Sequence, residues 1–319
     1  MRVAVAIRLV PLGGLGEVGM NALVLEDGDD AVLIDCGIMF PEEEVGIDVV
    51  HADFSYAVEL GPRLRAVVLT HGHEDHIGAI PFLLRRIRVP VYGPAFALEL
   101  VRARLTEHSL GFVPDLRVIR PREPFFAGSL EIEPIRVTHS IPDAVALAIR
   151  TSIGTVIHTG DFKVDLNPPD GRHFDLQRLS EYGAAGVTLL LSDSTNVGQE
   201  GITRGERAVA DELDRAIKEG GSGRVFVAAF SSNVQRLQTA IECAERHGRE
   251  VVLAGRSIWR HVAAATGLGM FRLPAERLVA PERAGDLPRE RVLVLLSGTQ
   301  GEPRSGLARL SLGEHRHLR

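Results

Sequence analysis

The stretch LTHGHEDHIGAIPFLL, Leu69–Leu84, sets His71, His73, Asp75 and His76 side by side directly after the apolar run AVVLT. Three imidazoles so close repel one another when protonated and gain little from burial unless they share a cation. The flanks fix where they sit. RAVVLT, Arg65–Thr70, reads as a buried strand, and DHIGAIPFLLRRI reads as a helix with Asp75 as its N-cap. Pro81 lies inside that helical pattern and kinks or restarts it. The cluster therefore occupies the turn between a strand end and a helix start. His71 and His73 are two apart and face one side of an extended turn. Asp75 and His76 follow the bend toward a second point nearby. Imidazole and carboxylate ligands in such a turn suit zinc or another divalent transition metal.

Further ligands must come from elsewhere. SLEIEPIRVTHS alternates toward His139, and GTVIHTGDFK runs as a strand into Asp161. A carboxylate has two oxygens, so Asp161 can bridge two metals. His158, inside the same strand pattern, reads as a core or supporting residue. AVLID ends at Asp35, which taken alone is a turn-former. The run Gly14-x-Gly16-x-x-Gly19 fits a dinucleotide fingerprint, but NALVLE, DGDD and AVLIDCG follow it. That is strand, turn, strand, with no helix to receive a pyrophosphate, so the glycines serve a tight loop.

The 319 residues are 45% hydrophobic and 24% charged, enough for one large domain or two medium ones. No apolar run has the length of a membrane span. MRVAVAIRLVPLGG is broken by Arg2 and Arg8 and has no cleavage site, so it reads as a first strand rather than a signal peptide. Cys36 and Cys243 form no CxxC, which points to a disulfide-free cytoplasmic protein. With a net charge of -6, a nucleic-acid partner needs a local basic patch. Arg85, Arg86, Arg88, Arg102 and Arg104 offer charge but read as a solvated face. In the second half RVFVAAF, EVVLAG and RVLVLLSG read as strands. SSNVQRLQTAIECAERHG reads as a helix capped by Ser232 or Asn233. That alternation predicts a parallel sheet, with Ser231, Ser232 and Asn233 at a strand end and helix N-terminus suited to phosphate.

HxHxDH, the distant His139 and TGDF ending in Asp161 and Phe162 resemble the metallo-β-lactamase superfamily. PLGGLGEVGMN, IDCGIMFPEEEVGID, HTGDFKVD, LLLSDSTNV, FSSNVQRLQTAIE, GRSI and LSGTQGEP, in this order, resemble its β-CASP nucleases of the ribonuclease J type. The resemblance implies an α/β fold, a metallo-β-lactamase αββα sandwich over residues 1–202 with a β-CASP α/β domain over 203–319. It implies two divalent ions, zinc or alternatively manganese. His71, His73, His139 and Asp161 would hold the first; Asp75, His76 and bridging Asp161 would hold the second. Asp35 would be a supporting acid near the metals, and Asp193 in SDST, an acidic residue that helps orient catalytic groups, would belong with Asp75 to the catalytic residues. Two metals about 3.5–4 Å apart suit phosphodiester hydrolysis. The implied substrate is single-stranded RNA with a 5′-monophosphate, cut by 5′–3′ exonuclease and endonuclease action in cytoplasmic RNA processing and decay. Ser231, Ser232 and Asn233 would contact it. The full-length family form would be a homo-oligomer with no membrane partner.

One departure stands out. In the family the metallo-β-lactamase domain resumes after the β-CASP insertion with a histidine-rich block, but this chain ends at GEHRHLR. His315 and His317 there read as a solvated tail. The expectation is a C-terminally truncated enzyme of impaired activity. The competing expectations are a hydrolase of small esters or thioesters and an inactive RNA-binding relic.

Overall fold

The computed structural model describes residues 6–41, 46–302 and 305–318. Residues 1–5 of the expected first strand, 42–45 of the IDCGIMFPEEEVGID block and Pro303 of LSGTQGEP lie outside the described residues. The chain forms two units. One holds the residues up to His139, Asp143–Val164 and His173–Glu200. The other holds Ser140–Pro142, Asp165–Arg172 and the residues from Gly201 on.

The first unit opens with β1 (Ile7–Gly13), a loop, and the hairpin β2 (Ala22–Asp27) and β3 (Asp30–Ile34). A strand, not a helix, follows the GxGxxG run. Asp27 pairs with Asp30, and Gly28 between them takes φ +61°, a left-handed conformation that glycine adopts without Cβ strain. The short pair β4 (Ile38–Met39) and β5 (Val50–His51) precedes α1 (Ser55–Glu59). Next come β6 (Leu64–Val68), α2 (Glu74–Ile77), α3 (Ile80–Leu84), β7 (Val91–Gly93), α4 (Ala95–Thr106) and β8 (Leu116–Val118). These give a six-stranded sheet ordered β1-β2-β3-β6-β7-β8, antiparallel through β3 and parallel beyond it. Pro81 lies in the first turn of α3, so the expected single helix is two. The N-cap of α2 is His73, not Asp75. A carboxylate turned back to cap backbone N–H groups would leave the cluster, and Asp75 instead lies 3.5 Å from His76 Nε2.

The second sheet holds β9 (Phe125–Ala127), β10 (Leu130–Arg136), β11 (Val145–Thr151), β12 (Gly154–His158) and, after α5 (Leu176–Ala185), β13 (Leu189–Leu191). Its order is β13-β12-β11-β10-β9. The sheets pack face to face: Leu25, Val32, Ile34 and Val68 of the first meet Ile132, Leu147, Ile149 and Val156 of the second. Strand alternation turns Val67 and Leu69 the other way, and both are buried there; Leu69 and Leu98 of α4 close around Gly93. On the far side, Leu179 and Tyr182 of α5 pack on Ile135, Ala146 and Ile157. Helix, sheet, sheet and helix therefore form four layers.

The buried Glu133 of β10 anchors α5. It accepts two 2.6 Å bonds from Arg178 and one of 2.7 Å from the Tyr182 hydroxyl. The Arg178 bonds hold its carboxyl below the ordinary glutamate value of 4.5. A lowered folded pKa contributes stability that is full above the unfolded value and drains as pH falls through the folded one. Glu133→Gln should therefore cost about 2 kcal/mol at pH 7, with the gap to the native chain closing below pH 4.5. Denaturant melts at pH 7 and pH 3 check this; a gap independent of pH would mean that the charge contributes nothing.

The second unit alternates α6 (Glu206–Glu219), β14 (Val225–Ala228), α7 (Val234–Arg246), β15 (Glu250–Ala254), α8 (Arg256–Gly267), β16 (Val292–Leu296) and α9 (Gly306–Ser311). Its sheet is parallel, ordered β14-β16-β15, and the central VLVLL strand is wholly buried. The expectation of a solvated tail fails. Leu318 is buried with Val252, Val294 and Leu296, which draws the HxH segment inward; His317 Nε2 lies 3.2 Å from Glu282, and His315 Nδ1 accepts the Leu318 N–H at 3.1 Å. Cys36 and Cys243 are free and buried. Among the described residues no helix is long and apolar enough to cross a membrane.

Candidate metal centre

The site begins where β3 ends. Asp35 takes φ +58°, a left-handed conformation that aspartate tolerates better than most residues. Its N–H donates to the Val68 carbonyl at 3.0 Å, which keeps it beside the end of β6. Its carboxylate accepts the Thr70 N–H at 2.8 Å, the Thr70 hydroxyl at 2.9 Å and His76 Nδ1–H at 2.7 Å. The Thr70 proton is thereby used, so Thr70 Oγ1 accepts from His71 Nδ1–H at 3.0 Å. His71 then carries its proton on Nδ1 and presents its Nε2 lone pair, and His76, fixed through Nδ1, turns Nε2 toward Asp75 and Asp161. Asp35, His71 and His76 are all buried.

The lone pairs converge. His73 Nδ1 lies 3.0 Å from His71 Nε2 and 3.1 Å from His139 Nε2. A shared proton satisfies one such pair; a cation satisfies all three nitrogens. The Asp161 carboxylate reaches His139 Nε2 at 3.8 Å with one oxygen and His76 Nε2 at 3.4 Å with the other. Two groups result, His71, His73, His139 and Asp161, and Asp75, His76 and Asp161, each with ligand atoms within 4.8 Å of one another. Burial pushes His71 well below the ordinary histidine value and His139 down to about 4. Burial opposes ionisation of Asp161, but the hydrogen bond and charge of His76 bring it down to about 2. Neutral imidazoles around an anionic carboxylate are the donor set that a divalent ion requires, so these residues fit such an ion. His76 differs: burial disfavours its charge, yet Asp35 and Asp161 hold it well above the ordinary value. Burial raises Asp75.

His158 accepts the Gly160 N–H at 3.1 Å and belongs to neither group. Asp193 closes a turn by accepting from the Thr195 N–H at 2.8 Å, and its other oxygen faces the Phe162 N–H at 3.5 Å, next to Asp161. In the second unit Ser231 and Ser232 are half-buried ahead of α7, and Asn233 is the cap, accepting the Arg236 N–H at 3.1 Å. Sequence reasoning gave no role to Thr70 or Asn21. The Asn21 amide nitrogen lies 3.1 Å from His76 Nε2 and 3.3 Å from Asp75 Oδ2. Its position at the end of the glycine loop, before a strand, was the signal. A cleft of about 740 Å³ opens here, lined by Leu15, Val18, Asp75, Asp161, Leu190 and Thr195 among others.

Two facing sheets with these ligands in the turns after their strands are the hallmark of the metallo-β-lactamase superfamily, which residues 15–214 match. Residues 222–319 match the ribonuclease J beta-CASP domain. The chain is 40% identical over 315 residues to ribonuclease J of Helicobacter pylori, covering 98% of this chain and 45% of that protein. It is 43% identical over 314 residues to ribonuclease J of Mycobacterium tuberculosis, covering 98% and 56%. It therefore belongs to the ribonuclease J family, and it spans about half the length of the curated relatives it matches. A crystal structure of a protein of unknown function from Enterococcus faecalis V583 shares the fold, with a TM-score of 0.63 and 15% identity over 93% of this chain and 79% of that one.

Asp35 touches two of the rings, directly or through Thr70. Asp35→Asn should weaken zinc binding roughly 10–100-fold, because it removes the anion that fixes both tautomers. Competition against a chelator of known affinity measures this; native affinity in the variant would show that the rings orient themselves.

Proposed function

We propose that the protein is a metal-dependent ribonuclease that hydrolyses phosphodiester bonds of single-stranded RNA, acting 5′–3′ from a monophosphorylated end and also internally. The observation that carries this reading is the pair of ligand groups sharing Asp161. In this reading His71, His73, His139 and Asp161 hold one zinc or manganese ion, and Asp75, His76 and Asp161 hold a second. Two such ions acidify a water and offset the charge of the attacked phosphate. Asp35 keeps the Nε2 atoms of His71 and His76 aimed at the ions. Asp193 takes the Phe162 N–H and so orients the peptide that carries Asp161. Ser231 and Ser232 meet RNA phosphate at the N-terminus of α7, while the Asn233 carbonyl oxygen stays on its cap and leaves the amide N–H groups for the strand. The two buried free thiols suit a reducing cytoplasm.

The second group has three protein ligands among the described residues against four in the first. Titration of metal-free protein with zinc should accordingly give two unequal affinities, and His73→Ala should abolish the tighter one. The loaded native chain should cleave a 5′-monophosphorylated RNA in single-turnover assays, and His73→Ala should not. Cleavage of thioesters or esters without any RNA cleavage would refute the reading.

Ser232→Asp puts an anion where a phosphate is expected. RNA affinity should fall about tenfold or more, the scale of one charge-assisted contact, with zinc content unchanged. Unaltered RNA affinity would leave the turn as a helix cap and nothing else.

A further inference from the structure

Arg85 and Arg88 follow α3, and neither has a carboxylate within 4.0 Å among the described residues. Their neighbours are rings. Arg85 Nη2 donates to His108 Nδ1 at 3.2 Å, and the Arg88 guanidinium lies 4.7 Å from the centroid of Phe112. His108 also meets the edge of Phe82 at 5.6 Å, and Phe82 stacks on His51 at 5.0 Å. Other arginines nearby are neutralised: Arg86 lies 3.6 Å from Asp53, and Arg102 and Arg104 pair with Glu99 and Glu74. On a chain of net charge -6, two exposed guanidinium groups ordered by rings keep their full positive charge for a ligand.

The topology places this patch. β6, β7 and β8 are parallel. His71 and His73 follow β6, so the metal cluster lies at the strand-finish end of the sheet. Arg85 and Arg88 precede β7, and His108 and Phe112 lie between α4 and β8, so all four lie at the strand-start end. At about 3.3 Å per residue, the five residues of β6 separate the two ends by roughly 16 Å.

We propose that this end of the first unit is a second RNA-binding surface, where Arg85 and Arg88 take phosphates and His108 and Phe112 stack with bases of a single strand. Cationic groups interleaved with rings are what a flexible polyanion with flat bases binds, and stacking needs no particular sequence. The inference rests on the ribonuclease reading. It gives a long RNA two points of attachment and a very short one only one.

The test compares binding of a 5′-monophosphorylated tetranucleotide and a strand of about 20 nucleotides, the typical reach of one to a few single-strand sites. Both are slowly cleaved phosphorothioate oligouridines, added to the zinc-loaded chain. The native protein should bind the long strand more tightly. Arg85→Glu with Arg88→Glu should remove roughly tenfold of that gain and lower the slope of log affinity against log salt by about 1.4, two phosphates at about 0.7 each. Arg85→Lys with Arg88→Lys, which keeps the charge, should restore the slope, and a melting curve should show each variant folded. Arg215→Glu with Arg283→Glu alters net charge equally at two arginines of the second unit that have carboxylate partners, and it should retain the gain. An unchanged gain and slope in the Arg85/Arg88 charge reversal, or an equal loss in the Arg215/Arg283 control, would overturn the proposal. A native protein that binds RNA with no length dependence overturns this surface alone; one that binds neither RNA overturns the ribonuclease reading with it.

Discussion

A single buried carboxylate holds the centre together. Asp35 accepts three hydrogen bonds, from the Thr70 N–H, the Thr70 hydroxyl and His76 Nδ1–H. A buried charge is tolerated only when donors surround it, and here each donor belongs to the turn that carries the ligands. The left-handed backbone at Asp35 costs about 1–2 kcal/mol. Three hydrogen bonds to an ionised group, at about 1.5–3 kcal/mol each, more than offset it. The strained residue is thus held by the turn it orders, and the tautomers of His71 and His76 follow from it.

Backbone contacts do the rest, and they explain why glycines stand where they do. The Cys36 N–H donates to the His76 carbonyl at 2.7 Å, the Ala79 N–H to the Cys36 carbonyl at 2.9 Å, and the Asn21 N–H to the Asp75 carbonyl at 3.0 Å. The two loops approach so closely that a Cβ on Gly37 would stand 1.6 Å from the Asp75 carbonyl oxygen. No side chain fits there without moving the segment that bears Asp75 and His76. Gly160 does the same for the other ligand-bearing turn: at φ +57° its missing Cβ would lie 2.8 Å from Thr70 Cβ. The Asp161 turn can therefore rest on Thr70, the residue that links Asp35 to His71. Three turns from distant parts of the sequence share one small volume because two of them lack a side chain at the contact.

Much of this was legible in the sequence, for identifiable reasons. The His71–His76 turn announced itself because no structural need places three imidazoles together. His139 and Asp161 stand out because each follows a strand pattern, alternating in the first case, and the structure brings both to the cluster. The GxGxxG run is legible as a loop, since the short apolar runs in NALVLE and AVLID, parted by the DGDD turn, are strands and leave no helix to follow the glycines. Local pattern could not supply long-range chemistry. Nothing about Thr70 or Asn21 in isolation reveals that one relays a proton position from Asp35 and the other faces His76 and Asp75. Asp75 looked like a cap because the residue type suits one; only the fold shows its carboxylate turned toward His76. GEHRHLR looked solvated because its composition is polar, and Leu318 reversed that by finding a place in the core. The paired and unpaired arginines near α3 were indistinguishable as sequence, because carboxylates such as Asp53, Glu74 and Glu99 lie far from some of them along the chain.

The charge distribution joins these observations. The chain is acidic overall, and Asp35, Asp75 and Asp161 gather further negative charge where a phosphate would arrive. A phosphodiester would be repelled by that cluster of carboxylates. Divalent ions in the two groups would reverse the local field, while the neutral state of His71 and His139 keeps their lone pairs available at pH 7. In the ribonuclease reading these residues would make the site attract an anion only when loaded. Arg85 and Arg88 carry no such condition, because rings rather than acids order them. In the ribonuclease reading an acidic protein would hold a polyanion through such a patch, and the charge at the reacting phosphate would arrive with the metal.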